Sequence, residues 1–150
     1  MENSVEAVMS RNLQTIGVSE TVENAAKIMR DKKIGSLFVV DKSKGEQPIG
    51  IVTERDLVYR VCAEGASSKD VKLEGLMSSP IATIEPRATI GSAANLMVSN
   101  KARHLLVVDE KKAPVGVITS TDLAKYLKAN MNVDEISARI IESFMDQEPQ

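Results

Sequence analysis

Two kinds of apolar pattern alternate along this chain. Val22, Ala25, Ala26 and Met29 stand at i, i+3, i+4 and i+7, and Ile90, Ala93, Ala94 and Met97 repeat the spacing. That period is one stripe of an amphipathic helix. Residues 19–21 supply a polar helix start ahead of the first stripe. The small alanines suit close packing on a sheet, and the methionines read as core filling. The second pattern is the unbroken apolar run. Leu37-Phe38-Val39-Val40 and Leu105-Leu106-Val107-Val108 predict strands buried on both faces. Polar loops over 41–48 and 109–114 join each to a second apolar run, 49–53 and 115–119, so each pair reads as a hairpin. Asp41 and Asp109 open those loops as turn residues.

The remaining segments are shorter. Val5, Val8 and Met9 anchor a lead-in over residues 1–12, and Thr15-Ile16 is a short extended piece. Residues 56–64 read as helix with Gly65 as its stop, and 123–128 as its counterpart. Residues 66–70 form a polar linker, and Leu76 and Met77 open the second half. A last helix is predicted over 133–145, with Asn132 and Glu135 at capping-box spacing. Ile136, Ile140, Ile141 and Phe144 give it an apolar face, and residues 146–150 are expected to fray.

The two halves are copies. A shift of 68 residues lays Met9-Ser10 on Met77-Ser78, Thr15-Ile16 on Thr83-Ile84, Met29 on Met97, and Leu37 and Asp41 on Leu105 and Asp109. After the hairpin loop the shift becomes 66, and Gly50, Thr53, Asp56 and Leu57 fall on Gly116, Thr119, Asp122 and Leu123. One order and one short loop deletion mark a duplication. Each unit of about sixty residues buries little surface alone, so two stacked units sharing a core are expected.

Composition narrows the function. The chain has 150 residues, is 43% hydrophobic and 27% charged, and carries a formal net charge of -2. This is a globular balance without a nucleic-acid charge footprint. Aromatics at 3% make stacking platforms for single strands improbable. No secretory signal pattern opens the sequence, and no apolar run approaches the roughly 20 residues of a membrane span. The single Cys62 excludes an intramolecular disulfide, suits a cytosolic setting, and reads as a small buried hydrophobe. No P-loop, metal-ligand cluster or nucleophile elbow is present, so catalysis is not expected.

The repeated element with chemistry is Gly50-Ile51-Val52-Thr53-Glu54-Arg55-Asp56-Leu57, matched by Gly116-Val117-Ile118-Thr119-Ser120-Thr121-Asp122-Leu123. Each is a strand that opens into a helix. Helix-terminal N–H groups and the helix dipole favour an anion there. Thr53 and Thr119 add hydroxyls, and the carboxylates of Asp56 and Asp122 suit the vicinal hydroxyls of a ribose. The same Thr-x-x-Asp spacing is also a capping box, and the two roles can coexist.

This order and these motifs resemble the cystathionine-beta-synthase (CBS) domain, which occurs as tandem pairs called Bateman modules. The resemblance covers about residues 5–128. It implies an α/β (α+β) fold of two repeats, each β-α-β-β-α, packed as a pseudo-two-fold pair. Repeat one with its lead-in would cover 1–66, repeat two 67–130, and a C-terminal helix and tail 131–150. It implies composite pockets, each junction facing the other repeat. One would use Thr53, Arg55 and Asp56, closed by Ile81, Ala82, Ala102 and His104. The other would use Thr119, Thr121 and Asp122, closed by Leu13, Gln14, Ile34, Gly35 and Ser36, with Arg103 nearby. Phosphate-binding charge is then split unevenly between them. The ligands implied are AMP, ADP or ATP first, with S-adenosylmethionine or NAD as further candidates. The expected protein is a free-standing, cytoplasmic sensor or regulatory module, not an enzyme. CBS pairs also occur inside inosine-monophosphate dehydrogenases, but 150 residues are too few for that enzyme's barrel of roughly 250. A homodimer is expected, through the faces around Leu57, Val61, Leu123 and Leu127 or the last helix. The alternative is a ligand-independent interaction scaffold in which the junctions only cap helices.

Overall fold

A computed structural model describes residues 3–45, 47–130 and 133–145. The expected cap at Asn132 and the fraying end at 146–150 lie outside these. In chain order the elements are α1 (Val5–Val8), β1 (Thr15–Gly17), α2 (Val22–Lys32), β2 (Ser36–Val40), β3 (Pro48–Thr53), α3 (Glu54–Leu57), β4 (Thr83–Ile84), α4 (Ile90–Asn100), β5 (His104–Val108), β6 (Pro114–Thr119), α5 (Ser120–Asn130) and α6 (Val133–Met145).

Matching devices shape the two halves. Thr21 Oγ1 accepts from Asn24 N at 3.2 Å and Thr89 Oγ1 from Ser92 N at 3.0 Å, capping α2 and α4. Both helices stop on a left-handed lysine, Lys33 with φ 56° and Lys101 with φ 51°, which turns the chain into the central strand. β2 lies between β1, parallel to it, and β3, antiparallel; β5 stands likewise between β4 and β6. The loop aspartates act as expected. Asp41 Oδ1 accepts from the Ser43 N–H and hydroxyl, and Asp109 Oδ1 from the N–H groups of Lys111 and Ala113.

The unbroken strands serve two cores at once. Leu37 and Val39 face Val22, Ala25 and Met29 of the first repeat, and Leu105 and Val107 face Ile90, Ala93 and Met97 of the second. The opposite faces meet each other. Phe38, Leu106 and Val108 form a third cluster, with Leu13, Ile51, Ile81 and Val117 packed around it. Leu13 and Ile81, like Phe38 and Leu106, are equivalent residues meeting across a pseudo-two-fold axis.

The lead-in segments are exchanged. Val5, fully buried, packs among Ile84, Ile90 and Leu105 of the second repeat. Leu73 and Leu76, which align with the lead-in of repeat two, pack in the core of the first. Helix ends gain from this. The N–H of Ile90 donates to Asn3 O, and those of Val22 and Glu23 donate to Val71 O and Ser68 O, so donors without intrahelical partners are satisfied. Each lead-in then pairs with the edge of a closing strand, Ser10 with Val117 and Ser78 with Ile51, two bonds of 2.9–3.0 Å each. There Met9 lies on Gly116 and Met77 on Gly50. A Cβ at Gly116 would stand 2.7 Å from Ser10 O and from Met9 Sδ; one at Gly50 would stand 2.5 Å from Met77 Sδ. The repeated Met-Ser and the motif glycine are two sides of one contact.

One helix departs from expectation. After the four residues of α3 the chain makes a π turn, Val58–Cys62, with Ala63 N bonded to Val58 O. The wider turn shifts the helical phase. Val61 takes the inward position at 3% exposure and Cys62 faces solvent, which corrects the reading of Cys62 as buried. Val61 is therefore not free for a dimer face, and Leu57 and Leu123 pack on their own cores. Val58, Tyr59 and Leu127 are large apolar side chains that these helices expose. Gly65, at φ 66°, ends the turn where the stop was predicted. α6 has the expected bounds, with Ile140, Ile141 and Phe144 exposed; the Ile136 side chain is outside the description.

Candidate ligand site

Both junctions form complete capping boxes. Thr53 N and Thr53 Oγ1 donate to Asp56 Oδ2 at 2.9 and 3.1 Å, and Asp56 N donates back to Thr53 Oγ1 at 3.4 Å. In the second repeat the same three bonds join Thr119 and Asp122 at 2.9, 3.0 and 3.2 Å. The capping role is realised, and it leaves specific groups over. Each aspartate spends one oxygen, Oδ2, on the cap; Oδ1 has no protein donor among the described residues. The threonine proton is committed to the aspartate, so a ligand would meet the Thr oxygen and not a free donor. Glu54 N donates to Gly35 O and Ser120 N to Arg103 O, both at 3.0 Å. That leaves the N–H groups of Arg55 and Thr121 without an acceptor among the described residues.

The strand register fixes what lies beside each junction. Ser36 pairs with Thr53, and His104 with Thr119. Ser36 Oγ and His104 Nε2 are 3.1 Å apart, a hydrogen bond between equivalent residues across the axis. The four strand ends therefore make one row, Thr53–Ser36–His104–Thr119, with Asp56 at one end and Asp122 at the other. Burial, the first cause, and the nearby Arg103 charge push the His104 pKa below its usual value, against the pull of Asp122. The neutral imidazole is thus favoured over the charged form.

The other expected residues divide. Leu13 and Ile81 sit in the inter-sheet cluster beside the row. Gln14 and Ala82 bind the central strands through their carbonyls, to Phe38 N and Leu106 N, and the Gln14 side chain is taken by Lys32 Nζ at 2.7 Å. Ile34 and Ala102 follow the helix C-caps and donate their N–H groups to Met29 O and Met97 O. Arg55 is exposed with its guanidinium 5.9 Å from the centre of the Tyr59 ring, and Thr121 faces solvent. Gly35 carries the Glu54 carboxylate directly over it. Sequence reasoning missed Glu54 and its counterpart Ser120. Their place, next to the capping threonine in both copies, was the available signal.

A shallow groove of about 500 Å³ lies between Arg60, Glu64, Val71, Lys72 and Glu74, and no junction residue lines it. Arg60 donates there to Leu76 O and Gly75 O at 2.9 and 3.0 Å, holding the exchanged segment in place. Among the described residues no group of three His, Cys, Asp or Glu is placed to hold a metal ion, and no helix is long and apolar enough to cross a membrane.

Comparison with known proteins bears on the family and the fold. The family model described as the CBS domain matches twice, over residues 5–62 and 69–129. An uncharacterized protein of Methanopyrus kandleri is 36% identical over 120 residues, 80% of this chain, and this chain spans 60% of that relative's length. The solved structure of a protein with CBS domains from Burkholderia ambifaria is 35% identical, covers 81% of this chain and 87% of its own, and superposes with a TM-score of 0.73. The hexameric CBS-CP12 protein of bloom-forming cyanobacteria is 27% identical over 95% of this chain and 84% of its own, with a TM-score of 0.72. With both halves matched in sequence and in fold, the chain belongs to the CBS domain family and carries two CBS domains in tandem.

Proposed function

We propose that this tandem pair is a regulatory module that binds an adenine nucleotide or a related adenosyl ligand between its repeats. The carrying observation is the spare carboxylate oxygen at each end of the strand-end row. Asp56 Oδ1 and Asp122 Oδ1 sit on half-buried side chains that the capping box holds in place. A fixed acceptor of this kind suits a ribose hydroxyl and loses little entropy on binding. AMP, ADP and ATP are the first candidates, then S-adenosylmethionine and NAD. A ligand touching both repeats stabilises whichever mutual arrangement binds it better, and a partner reads that arrangement. The exposed Val58, Tyr59, Leu127, Ile140 and Phe144 offer a second copy apolar surface, in keeping with the hexameric relative. The role is binding and not catalysis, and the lone exposed Cys62 fits a reducing cytoplasm.

A thermal-shift screen with AMP, ADP, ATP, NADH and S-adenosylmethionine tests this. A ligand at about 100 times its Kd adds roughly 2.7 kcal/mol, several degrees for a chain of this size. The expected shift disappears in Asp56→Ala or Asp122→Ala. The completeness of both capping boxes favours a second reading, a scaffold without ligand; it predicts no shift with any of the five.

A further inference from the structure

The junctions share their hydrogen bonds and differ in the charge set against them. Glu54 N bonds Gly35 O, and Ser120 N bonds Arg103 O, so the same two backbone positions are in contact in each repeat. Repeat one places a carboxylate and a bare glycine there. Repeat two places a hydroxyl and a guanidinium. Gly35 makes room for the acid: a Cβ on it would run into Glu54 Oε1 and stand 3.1 Å from Cδ. Arg103 is exposed and has no ion pair or side-chain hydrogen bond among the described residues. Arg55, the basic residue of repeat one's junction, lies against Tyr59 one turn down the helix. The row adds to the contrast, since His104 neighbours Arg103 and Ser36 neighbours Gly35.

A guanidinium free of acid partners is a good phosphate ligand, and a carboxylate at the equivalent place repels one. We propose that the junction of repeat two takes the phosphate-bearing ligand, while that of repeat one takes an adenosine whose 5′ substituent is neutral or cationic, with Arg103 and Glu54 as the discriminating pair. This rests on the nucleotide reading above. It refines that reading from one ligand class to two, sorted by charge.

Calorimetry with AMP, adenosine and S-adenosylmethionine tests it on the full chain. Asp56→Ala leaves the repeat-two junction and Asp122→Ala the repeat-one junction. The Asp56→Ala protein should bind AMP about tenfold more tightly than adenosine, and adding Arg103→Ser should remove most of that preference. The Asp122→Ala protein should bind adenosine or S-adenosylmethionine at least as well as AMP. Adding Glu54→Ser should then move it several-fold toward AMP. Glu54 and Arg103 are both exposed, so unfolding midpoints should hold and any change reads as binding. Equal AMP-to-adenosine ratios in the two Asp variants, or ratios indifferent to Arg103 and Glu54, overturn the charge assignment and leave the nucleotide reading standing. No binding of any of the three to the unmodified protein overturns both.

Discussion

Repeat one and repeat two reproduce each other in their caps, strands and junctions. The Thr caps, the left-handed lysines, the strand register with its shift before the last residue, and the three bonds of each junction recur in both. They part where side chains meet solvent or the cleft. The helix after Thr53 runs four residues and widens into a π turn, whereas the helix after Thr119 runs eleven. Val61 is thereby drawn into the core while its counterpart Leu127 stays 45% exposed. The capping and ladder bonds are retained in both copies, while the helix after the junction, the charges and the surface diverge. The difference in charge between the two junctions therefore lies in Glu54, Arg103 and His104 and not in the shared Thr and Asp.

Exchange of the lead-ins gives the largest expected effect. Leu73→Ala removes a fully buried side chain and should cost about 2–5 kcal/mol. Hydrogen exchange should then show α2 and β2 losing protection first, although residue 73 aligns with repeat two. Val5→Ala should do the converse, loosening α4 and β5. Protection lost from the aligned repeat in either case would break the exchange.

The motif glycines come next. Gly116→Ala sets a methyl against the backbone carbonyl of Ser10, which cannot swing away, and should cost about 2–3 kcal/mol. Gly50→Ala meets mainly the flexible Met77 thioether and should cost about 1 kcal/mol. Denaturant midpoints of the two proteins check the order, and a larger loss for Gly50→Ala would contradict the contact described. Asp56→Ala and Asp122→Ala each lose a cap, about 1 kcal/mol apiece and nearly equal, in the absence of ligand. A marked inequality in chemical denaturation would mean that the two boxes are not equivalent.

The smallest effect is a pH slope. His104 has a depressed pKa in the folded chain and about 6.5 unfolded. Its contribution is intact above pH ~6.5 and is lost as pH falls below that, because the unfolded state takes up the proton first. His104→Gln should flatten the difference in unfolding temperature between pH 7.5 and pH 5.5. An unchanged difference would place the titration elsewhere.

Much of this was legible in the sequence because it is local. The stripe from Val22 to Met29, the run from Leu37 to Val40 and the Thr-x-x-Asp spacing each determine their own geometry within a turn or a strand. What stayed hidden depends on distant partners. Val5 and Leu73 are apolar, but no period tells an apolar residue which of two similar cores will receive it. Cys62 was misplaced because a π turn changes the phase that a 3.6-residue period assumes. At the site the capping residues were legible, and the Ser36–His104 contact had a signal of its own: in a paired duplication, equivalent residues near the axis meet. Glu54 had only its place beside the capping threonine, since the contact that gives it weight depends on the absence of a side chain at Gly35.

The most direct test of the nucleotide site is an amide NMR titration of the full chain with AMP. A nucleotide bound at the junctions should shift Ser36, Thr53 to Asp56, Arg103, His104 and Thr119 to Asp122, with the Arg55 and Thr121 amides among the largest. Shifts confined to the groove around Arg60, Lys72 and Glu74, or none at saturating AMP, would contradict it.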